Sequence, residues 1–208
     1  MQLSLHTFDL PLRHTFTIAR GSSQSQPTLI VELEQDGLRG YGEATTNDYY
    51  GATLEKMSAA LLALADTLRN ETLTDPAALW EQLYPQLSEQ PFAQCALDQA
   101  AWDLFGKLQR QPVWKLWGLN LAHLPLSNYT IGIDDIDVMV AKLREFGDWP
   151  IFKIKLGTRN DLEIVRRLRQ ETSAVFRVDA NCGWTAGETI HNSHELKELG
   201  VEFIEQPL

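Results

Sequence analysis

Two lysines and two carboxylates stand at or near the C-terminal ends of short apolar runs. Lys153 and Lys155 lie in Phe-Lys-Ile-Lys-Leu-Gly (152–157), Asp179 in Phe-Arg-Val-Asp-Ala-Asn (176–181), and Glu205 in Phe-Ile-Glu-Gln-Pro-Leu (203–208). Residues two apart on a strand point the same way, so both lysines share a face, with Phe152, Ile154 and Leu156 on the other. Ammonium groups about 7 Å apart along a strand repel, which lowers the pKa of at least one, and a nearby cation pushes the same way. A lysine so tuned takes up a proton near neutral pH. Asp179 and Glu205, from neighbouring strand ends, make a hard oxygen site suited to Mg2+. The plain alternatives are lysines in water on an amphipathic strand, a helix cap at Asp179 and a surface charge at Glu205. Flanking helices argue against the first, because they cover both faces of a parallel strand. Capping does not explain the matched placement of Glu205.

A helical pattern separates each of these runs from the next. Strand-like runs begin near Ser127, Ile151, Ala174 and Val201, and helical periodicity fills 134–146, 161–171 and 187–199. The period of roughly 25 residues is that of a closed eight-unit β/α barrel, whose active sites lie at the C-terminal strand ends. Eight units would need roughly 200 residues from Ser127. The chain stops after the fourth strand, so the expectation is the first half of a (β/α)8 TIM-type barrel over 125–208, in a chain truncated there.

Residues 1–124 read as an α+β unit. Residues 3–10 alternate as a half-buried strand that Pro11 ends. The polar segment 13–27 reads either as a plain surface loop or as a mobile lid. Residues 28–34 and 38–41 form a hairpin about Asp36-Gly37. Helices start at the Thr53 cap, after Asp75-Pro76, and near Phe92. Trp80, Trp102, Trp114 and Trp117 are expected as core aromatics of that helical layer.

The 208 residues carry a net charge of −10, which argues against nucleic acid as a partner. No run is apolar enough to span a bilayer, so no membrane partner is expected, and the first residues lack the layout of a signal peptide. Cys95 and Cys182 have no second pair for zinc and read as free thiols, which points to the cytoplasm. The five histidines show no ligand spacing, and His191 and His194 lie in a polar helix.

Lys153-x-Lys155, Asp179-Ala180-Asn181 and Glu205-Gln206-Pro207 resemble the signature of the enolase superfamily, and more narrowly its muconate cycloisomerase branch. Gly40-Tyr41-Gly42-Glu43 and residues 96–104 resemble that family's capping domain, which assigns 1–124 to it. Residues 129–134 and the run around Asp179 look most like dipeptide epimerases acting on substrates such as Ala-Glu. The resemblance implies an isomerase that removes the proton α to a carboxylate and passes through an enolate. It implies Mg2+ at Asp179 and Glu205 to offset the charge, the pairing of metal ion and tuned lysine base for which this superfamily is known. It implies Lys155 as base or acid on one face, with Lys153 lending positive charge. Thr130, Arg20 and Asn181 are implied as contacts to a small-molecule dipeptide or related carboxylate. The family's third metal ligand, its opposing lysine and its dipeptide amino-terminus site lie on later strands, so 208 residues alone are expected to be inactive. Muconate-type cycloisomerase and o-succinylbenzoate synthase are alternatives within the superfamily. A Schiff-base aldolase and a non-catalytic, truncated binding module are alternatives outside it, and exposed strand edges would allow a homo-oligomer.

Overall fold

Backbone pairing begins early and runs long. In this computed structural model of residues 1–208, β1 (Gln2–Ile18) and β2 (Gly21–Gln35) form one extended hairpin that turns at Ala19-Arg20. The segment expected as a loop is therefore strand, and Pro11 does not end it. The order is β1-β2-β3, so β1 lies at a sheet edge, where a residue without an N–H can be tolerated. The hairpin's outer part is polar because it buries little, which hid it from an apolar-alternation reading. β3 (Leu38–Thr45) follows a two-residue turn at Asp36 and Gly37, both at positive φ (54° and 75°), as a type I′ hairpin requires.

The chain divides into two compact units, Met1–Pro11 with Ser25–His123, and Leu12–Gln24 with Leu124–Leu208. The hairpin tip thus belongs with the second unit. In the first, Leu29, Val31 and Leu33 alternate into a core closed by α1 (Leu54–Leu62), α2 (Ala65–Arg69), α3 (Pro76–Leu87) and α4 (Pro91–Leu108). Thr53 caps α1 by accepting from the Lys56 amide, and Asp75 caps α3 by accepting from Ala77. A short α5 (Val113–Leu116) follows. None of the four tryptophans belongs to that core: Trp80 and Trp117 are 38% and 54% exposed, and Trp102 and Trp114 are only partly buried. Trp102 and Trp117 instead meet edge to face near the surface, 5.1 Å between ring centroids.

The Gly40-Tyr41-Gly42-Glu43 run has a packing reason. A Cβ on Gly42 would lie 1.9 Å from the Ala96 carbonyl oxygen, and one on Gly40 2.3 Å from that of Ala100, so only glycine lets α4 settle onto β3. The helix also satisfies the strand's free edge. Gln99 Oε1 accepts from the Glu43 amide, Asp103 Oδ2 accepts from the Tyr41 amide, and Lys107 Nζ donates to the Arg39 carbonyl. Four helical residues rise about 6 Å and two strand residues about 6.6 Å. Side chains four apart on α4 therefore keep step with backbone groups two apart on β3, and the edge is closed.

The second unit is a parallel sheet in the order β4 (Tyr129–Ile131), β5 (Ile151–Lys155), β6 (Val175–Asp179), β7 (Val201–Glu205). Between them run α6 (Ile136–Glu145), α7 (Asp161–Arg169) and α8 (Ala186–Glu198). Ile131, Phe152, Ile154, Phe176 and Val178 meet Met139, Val140, Leu143, Ile164, Val165, Leu168 and Leu196 of the helices in a second core. Thr185 and Glu188 cap α8 reciprocally. No helix is long and apolar enough to cross a membrane.

Glu171, just past α7, accepts from Arg144 Nε of α6 at 2.7 Å and also from Arg167. Those two guanidinium hydrogen bonds hold its carboxyl down at about 2, against an ordinary 4.5. A depressed carboxylate contributes stability above its ordinary pKa and loses it as pH falls towards the folded value. We predict that the stability difference between the native chain and Glu171→Gln is constant above about pH 5 and shrinks between about pH 4.5 and 2. Urea titrations of the two proteins at a series of pH values measure it, and a difference that grew on acidification would contradict it.

Candidate active site

Parallel register places the four charged groups together. Lys155 pairs with Asp179 and Asp179 with Glu205, giving one row across three strand ends. One step below, Thr130 pairs with Lys153 and Lys153 with Arg177. Phe152, Ile154, Phe176 and Val178 point to the helices, so the charged rows occupy the opposite face.

Contacts bind the rows into one network. Lys155 Nζ donates to Asp179 Oδ2 at 2.6 Å, Lys153 Nζ lies 3.0 Å from the same oxygen, and Lys153 donates to Glu205 Oε2 at 2.7 Å. Asp179 is 1% exposed and Lys155 8%. Burial pushes the Asp179 carboxyl up, but the hydrogen bonds from Lys155, the Asn181 amide and Lys153 outweigh it and the pKa falls below the ordinary value. Burial likewise pushes Lys153 down, and its bonds to Glu205 and Asp179 carry it above the ordinary lysine value. Repulsion between the lysines is therefore not what sets Lys153. Two carboxylates within reach dominate it.

Glu205 reaches this network only because β7 is bulged. Plain alternation from Val201 would put Val201, Phe203 and Glu205 on one face. Val201 pairs with Phe176, yet Ile204 pairs with Val178, so β7 has an extra residue there. Val201 and Ile204 both pack on the core, while Glu202 and Phe203 both meet Arg177, by a 2.6 Å hydrogen bond and at 5.3 Å from the ring centroid. Two residues opposing one is the mark of a bulge, and the slip reverses the facing of everything beyond it. Past the strands, Ala180, Cys182 and Trp184 amides donate to Glu205, Gln206 and Pro207 carbonyls, stapling the two loops.

Asn181 is buried within this staple at φ 47°, followed by Cys182 at 60°. Its amide donates to Asp179 Oδ1, its Nδ2 lies 3.4 Å from Gln206 Oε1, and its Oδ1 has no partner. Thr130 lies beside Lys153 in register, on the same face. Arg20 is exposed at the hairpin tip, which belongs to this unit. Phe16 of that hairpin has its ring centroid 5.9 Å from Lys155 Nζ, an aromatic neighbour the sequence did not reveal.

For a divalent cation the donor set is partial but of the right kind. Asp179 and Glu205 are hard oxygen donors whose oxygens both lie within 3.0 Å of one ammonium nitrogen, so they already converge on a single positive charge. No cluster of three or more His, Cys, Asp or Glu side chains is placed to hold a metal.

This arrangement coincides with family boundaries found by comparison. The mandelate racemase/muconate lactonizing enzyme N-terminal domain family matches residues 3–118, and the enolase C-terminal domain-like family matches 137–208. The chain belongs to the enolase superfamily. It is a capping domain followed by part of a TIM-type barrel. Similar proteins in this superfamily include the L-Ala-D/L-amino acid epimerases of Flavobacterium johnsoniae, 48% identical, and of a Maribacter species, 50% identical. Each match covers the whole chain, which spans 62% and 61% of those proteins' lengths. Among solved structures, the dipeptide epimerase of Methylococcus capsulatus, complexed with Mg and L-Arg-D-Lys, is 32% identical with a TM-score of 0.91 over 100% of this chain and 61% of that one.

Glu205→Gln is predicted to lower the pKa of Lys153 towards its ordinary value, since the Glu205 hydrogen bond is the largest influence raising it. NMR titration of the lysine side-chain resonances checks this. An unmoved Lys153 would show that the pair does not form in solution.

Proposed function

We propose that this chain carries one acid/base face and the cation-binding carboxylates of a Mg2+-dependent dipeptide epimerase. The observation that carries the reading is the single hydrogen-bonded network of Lys153, Lys155, Asp179 and Glu205 at the C-terminal strand ends. The dipeptide epimerases among its relatives support the substrate class, an Ala-Glu type dipeptide, and magnesium in a solved relative supports the cofactor.

The proton α to a carboxylate is weakly acidic, and removing it builds negative charge on that carboxylate. Asp179 and Glu205 would hold Mg2+, which would offset this charge and compete with the lysines for the Asp179 oxygen. Lys155 takes the α-proton on one face when neutral and returns it when charged. Its place at the end of β5, buried beside Phe16, limits its exposure to water. Lys153, held charged by Glu205 and Asp179, contributes electrostatic stabilisation rather than proton transfer. That raised pKa also opposes a Schiff-base role for Lys153, which would need the free amine. Thr130 and Asn181 flank this network and would contact substrate, as would Arg20 from the hairpin tip. The free thiols Cys95 and Cys182 accord with a reducing cytoplasm.

Epimerisation needs a proton donor on each face of the planar intermediate, and Lys153 and Lys155 come from a single strand. Residues 1–208 alone are therefore expected to invert no dipeptide. The natural gene product, given L-Ala-L-Glu and Mg2+ in deuterated water, should incorporate deuterium at the glutamate α-carbon. Lys155→Ala should cut that exchange by about 10²- to 10⁴-fold while circular dichroism stays native-like. Exchange near the native rate in the variant would overturn the assignment of Lys155.

A further inference from the structure

Asp161 is 3% exposed and has four hydrogen bonds, with no cation among the partners. It opens α7, where a carboxylate ordinarily serves its own helix. Its bonds go elsewhere. Oδ2 accepts from the Gly157 amide at 2.9 Å and from Trp184 Nε1 at 2.6 Å, and Oδ1 accepts from the Thr158 amide and hydroxyl at 2.8 and 2.7 Å. One buried carboxylate thus ties the turn after β5 to the turn after β6.

Those turns form a seat. A Cβ on Gly157 would lie 2.6 Å from the Ala19 Cβ, and one on Gly183 would lie 3.2 Å from it and 2.9 Å from the Gly157 Cα. Gly157 stands at φ +110° and is adapted to the turn as well as to the contact. At the end of β4, a Cβ on Gly132 would lie 3.0 Å from the Thr17 nitrogen, and the next amide, Ile133, donates to the Thr17 carbonyl at 2.9 Å. Glycines after three consecutive strands therefore receive residues 17–19 of the hairpin. The strand that rests there carries Phe16 to Lys155 and presents Arg20 at the turn.

We infer that Asp161 is a positioning residue for the site, fixing the seat that holds the β1–β2 hairpin tip and with it Phe16 beside Lys155. The importance of that pose for proton transfer rests on the function proposed above. The seat itself does not, and its test needs no substrate.

The test compares the native chain with Asp161→Asn, Trp184→Phe and Gly183→Ala. Trp184→Phe removes one donor to Asp161. Gly183→Ala keeps the carboxylate but puts a Cβ 2.8 Å from the Ala180 carbonyl oxygen, 2.9 Å from the Gly157 Cα and 3.2 Å from the Ala19 Cβ, crowding the seat from its own side. Two reporters are read by NMR: hydrogen exchange of the Ile133 amide, and the ring-current shift of the Lys155 side-chain protons, assigned by its loss in Phe16→Leu. In all three variants the Ile133 amide should exchange about tenfold faster and the Lys155 shift should move towards that of Phe16→Leu. Amides of Ile164, Val165 and Leu168 in α7 should keep their protection. Unchanged reporters in folded Trp184→Phe and Gly183→Ala would overturn the inference. So would a parallel loss of protection in α7, which would make Asp161 a helix-end residue only. Failure of the natural gene product to exchange the dipeptide α-proton would count against the proposed function and leave this result standing.

Discussion

Asp179 is a carboxylate almost wholly withdrawn from water, and the geometry around it follows from that. A lone charge at such depth costs several kcal/mol, and a partner's attraction offsets the cost only when geometry is good and the remaining lone pairs are bonded. Here Lys155 and Lys153 share one oxygen and the Asn181 amide takes the other. Satisfying the carboxylate demands lysines two apart on β5, a left-handed residue directly after Ala180, and a neighbouring strand whose own carboxylate balances the second lysine. Each demand is visible in the chain. The arrangement is also electrostatically poised, because any cation drawn to Asp179 and Glu205 must loosen their hold on the lysines.

Strain is concentrated where that network is assembled. Asn181, Cys182 and Gln206 occupy positive φ without being glycine, at a cost of order 1–3 kcal/mol each. The stapled carbonyls and amides between the two loops over-determine this backbone. The bulge in β7 serves the same end, trading one regular ladder step for a carboxylate that faces the lysines. Such departures cluster at functional sites because plain periodicity would point these groups away from one another.

Much of this was legible in the residues. Lys153 and Lys155 share a face by strand period alone, and Asp179 ends a run whose apolar partners could only face helices. The caps at Thr53 and Asp75 and the turn at Asp36-Gly37 are local chemistry and read directly. Long-range effects were hidden. The β7 bulge leaves no local signature: plain alternation from Val201 would turn Glu205 away from Asp179, and their pairing was read from matched strand-end positions instead. The outer hairpin looked like loop because it buries few apolar groups, although backbone pairing needs none. Repulsion between two lysines was evident from spacing, whereas the carboxylates that reverse it for Lys153 come from strands 26 and 52 residues onward in the sequence. The Asp161–Trp184 bond joins turns that no short motif connects. Trp80 and Trp117 lie outside the core because leucines and alanines already fill it.

The central claim is that the lysine pair and the two carboxylates form one cation-responsive network. Magnesium titration with ¹⁵N-detected NMR of the lysine Nζ groups addresses it most directly. The Lys153 and Lys155 resonances should shift together and saturably as Mg2+ is added, and the response should vanish in Asp179→Asn. Resonances that stay fixed, or that drift linearly and equally in Asp179→Asn, would contradict the account.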